Sequence, residues 1–167
     1  TRKLMEALYQ DNEPAYIRVG RNAVPDVYTE DNCPFEMDKA TVLGEGSDIA
    51  IIACGEMVEA AVKAAEVLNA EGISTGVLDM YCIKPLDTEA VIKAANAAKA
   101  VIVIEEHTTI GGLGSMVCQV IAANAPRKVT CMGLPDAPVI TGTSREVFDY
   151  YHLNCDGIVT AAKKLLG

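Results

Sequence analysis

The sequence has little positive charge. Only 14 lysines and arginines stand against 23 aspartates and glutamates, which gives a formal net charge of −9 and a pI near 4.7. Nucleic acids and anionic membranes attract basic surfaces, so we expect neither among the partners. The longest apolar runs have five or six residues, far fewer than the roughly 20 needed to span a bilayer. No charged-then-apolar leader is visible, and we expect a cytoplasmic protein.

Motifs for metals, disulfides and hydrolytic catalysis are also missing. Six cysteines are dispersed without a CxxC pair, and there are only two histidines. Because Cys54, Cys118 and Cys131 lie in apolar patterns, we expect free, mostly buried thiols in a reducing compartment. The sequence contains no H-E-x-x-H, G-x-S-x-G, EF-hand loop or GK[ST]. We therefore predict no metal site and none of the activities for which these motifs are characteristic.

From Thr41 onward, short apolar runs alternate with helical patterns. Gly72 suits a helix end, and Asp87 suits a helix start. The predicted strands are 48–54, 73–80, 100–105 and 128–134, and the predicted helices are 56–72, 88–98, 113–125, 144–152 and 156–166. Alternation of this kind predicts parallel βαβ units. The expected fold is therefore α/β, a three-layer sandwich with a mostly parallel sheet.

The first 40 residues have a different pattern. Residues 3–10 read as the end of a helix, and residues 15–19 (AYIRV) read as a short strand. From Gly20 to Asp38 the sequence is polar and without a period, which indicates a long linker. Since the chain opens inside a helical pattern and without methionine, we expect it to be a fragment of a longer protein.

The segment EEHTTIGGLGS (105–115) joins a predicted strand to a predicted helix. Gly112 and Gly114 match the first two positions of the dinucleotide pattern G-x-G-x-x-G, but Val117 occupies the third. Backbone amides at such a helix start can bind an anion. The favoured interpretation is a tight corner whose glycines permit close packing.

His107 follows the carboxyl end of a predicted strand, the edge where open α/β sheets bind ligands. Neighbouring carboxylates would favour its charged form. Strand alternation predicts that at most one of Glu105 and Glu106 shares a face with it. A functional histidine and a hydrogen-bonded surface or interface histidine are both open interpretations.

Arg18 and Arg21 stand at the exit of the predicted strand 15–19. The planar fork of a guanidinium binds phosphate or carboxylate through two hydrogen bonds, so either residue is a candidate ligand for an anionic substrate. An ion pair with one of the many acidic residues is the structural alternative.

Together the segments resemble the carboxyl-terminal part of a transketolase. The resemblance is carried by AYIRVGRNAVPDVY, DIAIIACGEMVEAAVKAAEVLNAEGI, VLDMYCIKPLD, EEHTTIGGLGSMV and DGIVTAAKKLL. It implies that residues 1–22 end a pyrimidine-binding domain, 23–40 form a linker and 41–167 form the transketolase C-terminal domain. The family transfers two-carbon ketol units between sugar phosphates with thiamine diphosphate and a divalent cation such as magnesium. Its cofactor motifs and its thiazolium-activating glutamate lie upstream of Thr1 by resemblance, so we expect neither in this fragment.

The resemblance also assigns one substrate ligand. Residues 21–25 (RNAVP) are similar to the family pattern R-Q-N-L-P, whose arginine contacts the substrate phosphate, and this makes Arg21 the candidate and Arg18 its structural neighbour. The sequence departs from the family at Gly20 and Ala23. Implied partners are an N-terminal cofactor-binding part, further copies in a dimer or higher assembly, and sugar phosphates.

Other interpretations remain open. Deoxyxylulose-phosphate synthase and the β-subunits of 2-oxo acid dehydrogenases share the architecture. A stand-alone module that binds an anion or nucleotide at the glycine loop, and a purely structural domain, are alternatives of another class. His107, Gly112, Gly114 and Ser115 are accordingly predicted as an anion-binding or interface loop.

Overall fold

A computed structural model describes residues 1–21, 23–29 and 31–167. Asn22, in the predicted phosphate-binding motif, and Glu30, in the predicted linker, lie outside this part. The described elements, in chain order, are α1 (Arg2–Gln10), β1 (Thr41–Gly44), β2 (Ile49–Ala53), α2 (Met57–Ala70), β3 (Thr75–Asp79), α3 (Thr88–Ala97), β4 (Ala100–Thr108), α4 (Leu113–Asn124), β5 (Lys128–Leu134), α5 (Ser144–Tyr150) and α6 (Cys155–Leu166).

The strands form one sheet in the order β1-β3-β2-β4-β5. Strands β3, β2, β4 and β5 are parallel, and β1 runs antiparallel to β3. Helices α2 and α6 pack on one face and α3 and α4 on the other. The predicted α/β three-layer sandwich with a mostly parallel sheet is therefore confirmed.

The central strands are apolar because helices cover both of their faces. Every residue of β2 is buried, and so are the first six of β4. Ile49 and Ile51 face the α2–α6 layer, whereas Ile52 faces the α3–α4 layer. Each buried aliphatic side chain contributes roughly 1.5–3 kcal/mol. The carboxyl ends of these strands are therefore held in place by a well-packed core.

Local signals end and begin two of the helices as predicted. Gly72 follows α2 with a φ of 84°, a conformation that glycine adopts without strain. The Asp87 carboxylate accepts a hydrogen bond from the Ala90 amide at 3.0 Å and starts α3. Its other oxygen accepts from the Ala40 amide at 3.0 Å, so one side chain caps a helix and fastens the preceding segment.

Two secondary-structure predictions differ from the structure. Residues 15–19 do not form a strand, because within the described ranges no strand pairs with them. An apolar, β-branched run makes a strand only where a neighbour completes its hydrogen bonds. Conversely β1, at Thr41–Gly44, was not predicted, since four residues give too short a pattern beside an irregular segment.

The prediction of mostly buried cysteines is wrong. All six are free, but only Cys54 is buried, and the other five are partly exposed. Cys131 lies on β5, an edge strand with a neighbour on one side only, and its Sγ is 3.6 Å from that of Cys118 on α4. Burial raises the pKa of the Cys131 thiol to about 12, and the adjacent Cys118 adds to the effect. The Cys131 side chain is therefore a thiol at neutral pH.

The segment before β1 is tied to the sheet despite its irregular sequence. The Tyr28 hydroxyl donates to Asp79 Oδ2 at 2.7 Å, and the Tyr81 hydroxyl donates to the Glu36 carbonyl at 2.5 Å. The Thr41 hydroxyl donates to the Pro34 carbonyl at 2.9 Å. These bonds hold the segment across the end of β3. By contrast α1 buries none of its residues.

A search of the described residues finds no helix that is both long and apolar enough to cross a membrane.

Candidate functional site

Three residues of the described ranges 18–21 and 23–29 contact the carboxyl ends of three parallel strands or the residues that follow them. Arg18 contacts the end of β4, Gly20 packs on the residue before α2 that follows β2, and Tyr28 bonds the end of β3. In the sheet these strands are neighbours in the order β3-β2-β4. Ligands of open α/β sheets bind at this edge. The predicted phosphate ligand Arg21 therefore lies within a segment that the sheet's carboxyl edge supports.

Arg18 is held by two side chains of β4. Its Nη1 donates to Glu106 Oε1 at 3.1 Å and also contacts His107 Nε2. The ion-pair interpretation is confirmed for this arginine. The Glu106 carboxylate is only 9% exposed, whereas the Arg18 side chain is half exposed. Glu106 Oε2 is buried and has no hydrogen-bond partner among the described residues, so this carboxylate depends on Arg18 as its counter-charge.

The charged form of His107 is not favoured, contrary to the expectation from its acidic neighbours. Burial lowers the pKa of His107, the Arg18 cation lowers it further, and Glu105 opposes both. The ring contacts Arg18 through Nε2, and its Nδ1 lies 3.9 Å from Glu105 Oε2.

The contacts of Glu105 and Glu106 agree with the predicted alternation, because Glu105 contacts the start of α4, whereas Glu106 lies beside Arg18 and near Gly55 before α2. Glu105 Oε2 lies 3.9 Å from His107 Nδ1, and Glu106 Oε1 lies 3.8 Å from His107 Nε2. The pairing of β4 with β5 shifts register between Ile104 and Thr108. The His107 ring, near the end of β4, nonetheless lies within 4 Å of both carboxylates.

Glu105 occupies the start of α4. Its carboxylate accepts from the Leu113 amide at 2.9 Å and from the Gly114 amide at 2.8 Å, and the side chain is 4% exposed. A carboxylate there satisfies two amides that the helix leaves unpaired and interacts favourably with the helix dipole. These two amides thus have an anion supplied by the chain itself.

The glycines of the loop make room for this carboxylate. A Cβ on Gly112 would stand 2.7 Å from Glu105 Cδ, and a Cβ on Gly114 would stand 2.8 Å from Cys131 Sγ. Both distances are shorter than normal contacts. Ser115 closes the loop, since its Oγ donates to the Thr109 carbonyl at 3.1 Å and accepts from the Gly111 amide at 2.9 Å.

Arg21 is exposed, and among the described residues it makes no hydrogen bond or ion pair. Its predecessor Gly20 packs against the Glu56 side chain so closely that a Cβ would meet Glu56 Cδ at 3.3 Å, with an oxygen nearer still. Toward the described part of the chain the Arg21 guanidinium therefore keeps its donors available.

Carboxylates give this edge a negative background. Burial raises the pKa of Glu106, and the Arg18 charge opposes the shift. Burial also raises the pKa of Glu56, Glu106 adds to it, and Arg18 again opposes it. Arg18 therefore lowers the electrostatic cost of keeping these acids ionised beside any anion that binds at Arg21.

The described residues do not fit a magnesium–diphosphate group. They contain no cluster of three histidine, cysteine, aspartate or glutamate side chains that could hold a metal ion. The helix amides best placed to bind a diphosphate, those of Leu113 and Gly114, are taken by Glu105. These residues therefore provide no site for thiamine diphosphate with magnesium within the described part of the chain.

Sequence reasoning did not find the roles of Glu105, Glu106 and Glu56, or the bond between Tyr28 and Asp79. For Glu105 a signal was available, because an acidic residue ending a buried strand before a glycine-rich helix start is suited to capping that helix. The contacts of Tyr28 with Asp79 and of Arg18 with Glu106 join residues 51 and 88 positions apart, and no local pattern indicates them.

Comparison with known proteins agrees with this architecture. The family model "transketolase, C-terminal domain" matches residues 38–158. The chain is 46% identical over 162 residues to one subunit of the apulose-4-phosphate transketolase of Phocaeicola vulgatus, covering 97% of this chain and 52% of that subunit. It is 34% identical over 164 residues to 1-deoxy-D-xylulose-5-phosphate synthase of Chlorobium luteolum, covering 96% of this chain and 26% of that enzyme.

A solved structure described as a split gene transketolase, inactive beta4 tetramer, has a TM-score of 0.91 and 38% identity, and the match covers 99% of this chain and 54% of that one. The fold is thus that of an α/β domain of the transketolase type. The chain belongs to the transketolase C-terminal domain family. It spans about half the length of the transketolase subunit to which it is similar.

Proposed function

We propose that the chain is the C-terminal part of a thiamine-diphosphate-dependent transketolase that transfers two-carbon ketol units between sugar phosphates. The similarity to a subunit of apulose-4-phosphate transketolase and to a split gene transketolase supports this proposal. The transferase activity belongs to the whole cytoplasmic enzyme, and the chain alone is inactive. An N-terminal part holds the cofactor and magnesium, and this chain contributes to assembly as a dimer or higher oligomer.

Within that enzyme, Arg21 binds the substrate phosphate. The observation that carries this assignment is an exposed arginine without a described partner at the carboxyl edge of the sheet. A guanidinium suits a phosphate dianion because it donates two parallel, charge-assisted hydrogen bonds.

The remaining residues have assembly roles. Residues 1–22 complete the pyrimidine-binding domain, 23–40 link it to the domain at 41–167, and the N-terminal part covers α1. The exposed side chains of Tyr9 and Tyr16, 85% and 89% accessible, favour such a cover. His107, Gly112, Gly114 and Ser115 form a loop near a subunit interface. We favour this role over anion binding because Glu105 already fills the amides of Leu113 and Gly114.

The test of Arg21 is the variant Arg21→Ala in the enzyme reassembled with its N-terminal part. Loss of a charged hydrogen bond costs about 1.5–3 kcal/mol, so kcat/KM for phosphorylated acceptors falls roughly ten- to a hundredfold. A non-phosphorylated acceptor is turned over as before. Arg145→Ala, at an arginine that is 92% exposed on α5, is the matched control. Equal losses with both acceptors would contradict the assignment.

A second candidate function is that of a 1-deoxy-D-xylulose-5-phosphate synthase, favoured by the 34% identity to that enzyme. The reassembled enzyme is assayed for formation of 1-deoxy-D-xylulose 5-phosphate and, separately, for ketol transfer between sugar phosphates. Ketol transfer without synthase activity supports our proposal, and the reverse result selects the alternative.

A further inference from the structure

The short segment 18–21 contacts the domain at two points. Arg18 is held by its side chain, which bonds Glu106 and contacts His107 on β4. At Gly20 the backbone lies against the end of the Glu56 side chain. Arg21 follows directly and is exposed. The contacts of Arg18 thus limit where the Arg21 backbone lies, although none of the domain's described side chains bonds the Arg21 guanidinium.

The position of the Arg18 side chain is strongly determined by Glu106. Glu106 is nine-tenths buried, one of its oxygens accepts from Arg18, and the other has no described partner. Removing the cation beside a buried carboxylate leaves an uncompensated charge, which is costly. The Arg18 side chain is therefore held beside Glu106, and this restricts the position of the backbone three residues later, at Arg21. Binding groups held in advance lose less entropy when a ligand arrives.

We propose that Arg18 is a positioning residue for the substrate phosphate, and that Glu106 and His107 hold it so that Arg21 is presented in its binding position. This inference rests on the proposed function, because it concerns the phosphate that Arg21 binds there. According to this inference, the affinity for the phosphate depends both on the segment 18–21 and on the side chains of Glu106 and His107 on β4.

Positioning and direct contact have different kinetic signatures. A positioning residue acts only through Arg21, so its loss must have no effect once Arg21 is gone. Its loss must also raise KM for phosphorylated acceptors with little change in kcat, since the interaction is made equally in the ground and transition states. A residue needed only for folding would affect phosphorylated and non-phosphorylated acceptors alike.

The experiment measures steady-state kinetics of the reassembled enzyme with phosphorylated and non-phosphorylated acceptors. The variants are Arg18→Ala, Glu106→Gln, Arg21→Ala and each of the first two combined with the third. Glu45→Gln is the control, because Glu45 also accepts from a cation, Lys93 at 2.8 Å, but on an exposed surface of the domain. Urea denaturation of every variant is measured alongside, so that a loss of folding is distinguished from a loss of positioning.

We expect Arg18→Ala and Glu106→Gln each to raise KM for the phosphorylated acceptor roughly five- to twentyfold, within the range of coupling between contacting residues. We expect kcat and the non-phosphorylated acceptor to change less than about twofold, as for Glu45→Gln. In the Arg21→Ala background neither substitution has a further effect. Arg18→Lys retains part of the positioning, because an ammonium keeps the charge but not the fork.

The failures are distinguishable. If Arg21→Ala impairs both acceptors equally, the proposed phosphate role of Arg21 fails. If Arg21→Ala is selective but Arg18→Ala leaves the KM unchanged, the positioning inference fails and Arg21 stands alone. If the effects of Arg18→Ala and Arg21→Ala multiply, Arg18 binds the phosphate directly and is not a positioning residue.

Discussion

At the scale of single residues, Glu105 shows how one carboxylate can define a loop. It ends a buried strand, accepts from two amides at the start of α4 and lies 3.9 Å from the His107 ring. The glycines beside it occupy a space where a Cβ would collide with its carboxyl group or with Cys131. The loop sequence is similar to a phosphate-binding pattern, but the Glu105 carboxylate, an anion of the chain itself, explains its glycines equally well.

Substitution of Glu105 is expected to destabilise the chain. Glu105→Ala leaves the Leu113 and Gly114 amides buried without a partner and should cost roughly 2–4 kcal/mol of unfolding free energy. Glu105→Gln keeps one acceptor oxygen and should cost less. Urea denaturation measures both. Glu146→Ala removes the same residue type from the exposed cap of α5 and should cost less than Glu105→Ala. Equal costs would show that Glu105 is not the cap we describe.

A second residue-scale prediction concerns pH. Burial raises the pKa of Asp79, although the Tyr28 hydroxyl opposes the shift. A carboxyl whose pKa is higher in the folded state stabilises the fold below its unfolded pKa and loses that contribution as pH rises through the folded value. Asp79→Asn cannot titrate. Its stability relative to the parent should therefore improve as pH rises from about 4 towards 7.

Asp48 supplies the control of opposite sign. Hydrogen bonds from Lys99 and from the Ser74 amide hold the pKa of Asp48 below its usual value. Its contribution is present above the unfolded pKa and is lost as pH falls, so Asp48→Asn should become worse relative to the parent as pH rises. Unfolding free energies at several pH values test both. Parallel pH profiles for the two variants would refute the assignment for Asp79.

At the scale of elements, the sequence predicts what is local. The buried run at β2 and the periodic pattern of α2 are read from neighbours within one turn or one strand, and Gly72 and Asp87 mark helix ends by their own chemistry. β1 was missed and residues 15–19 were misread for the same reason. A strand is completed by its partner, and the partner of β1 is β3, more than 30 residues away.

The candidate site was less predictable than the fold. Arg21 was proposed from a family pattern, and His107 because strand ends carry ligands in such sheets. The environment of His107 could not be read from the sequence, since Arg18, which contacts its ring, lies 89 positions away. Arg18 finds Glu106 across 88 residues of sequence. Contacts between such distant residues can be predicted only when the order of the strands in the sheet is known. No single segment of the sequence specifies that order.

At the scale of the whole molecule, the chain combines a well-packed domain with an N-terminal region that buries little. Helix α1 has no buried residue, and the irregular segment after it exposes Tyr16 and Val19. Apolar surface of this kind is characteristic of an interaction site. In our proposal it is covered by the N-terminal part of the enzyme, and the Arg21 site is completed at the same time.

The last prediction concerns the chain by itself. Because no acidic or histidine cluster among the described residues can hold a metal ion, and Glu105 fills the α4 amides, we expect the isolated chain not to bind thiamine diphosphate with magnesium. Titration calorimetry on the isolated chain should give no saturable heat, whereas the complex with the N-terminal part should give a binding isotherm. Saturable binding in the micromolar range to the chain alone would refute the division of labour that we propose, because the chain would then carry a cofactor site of its own.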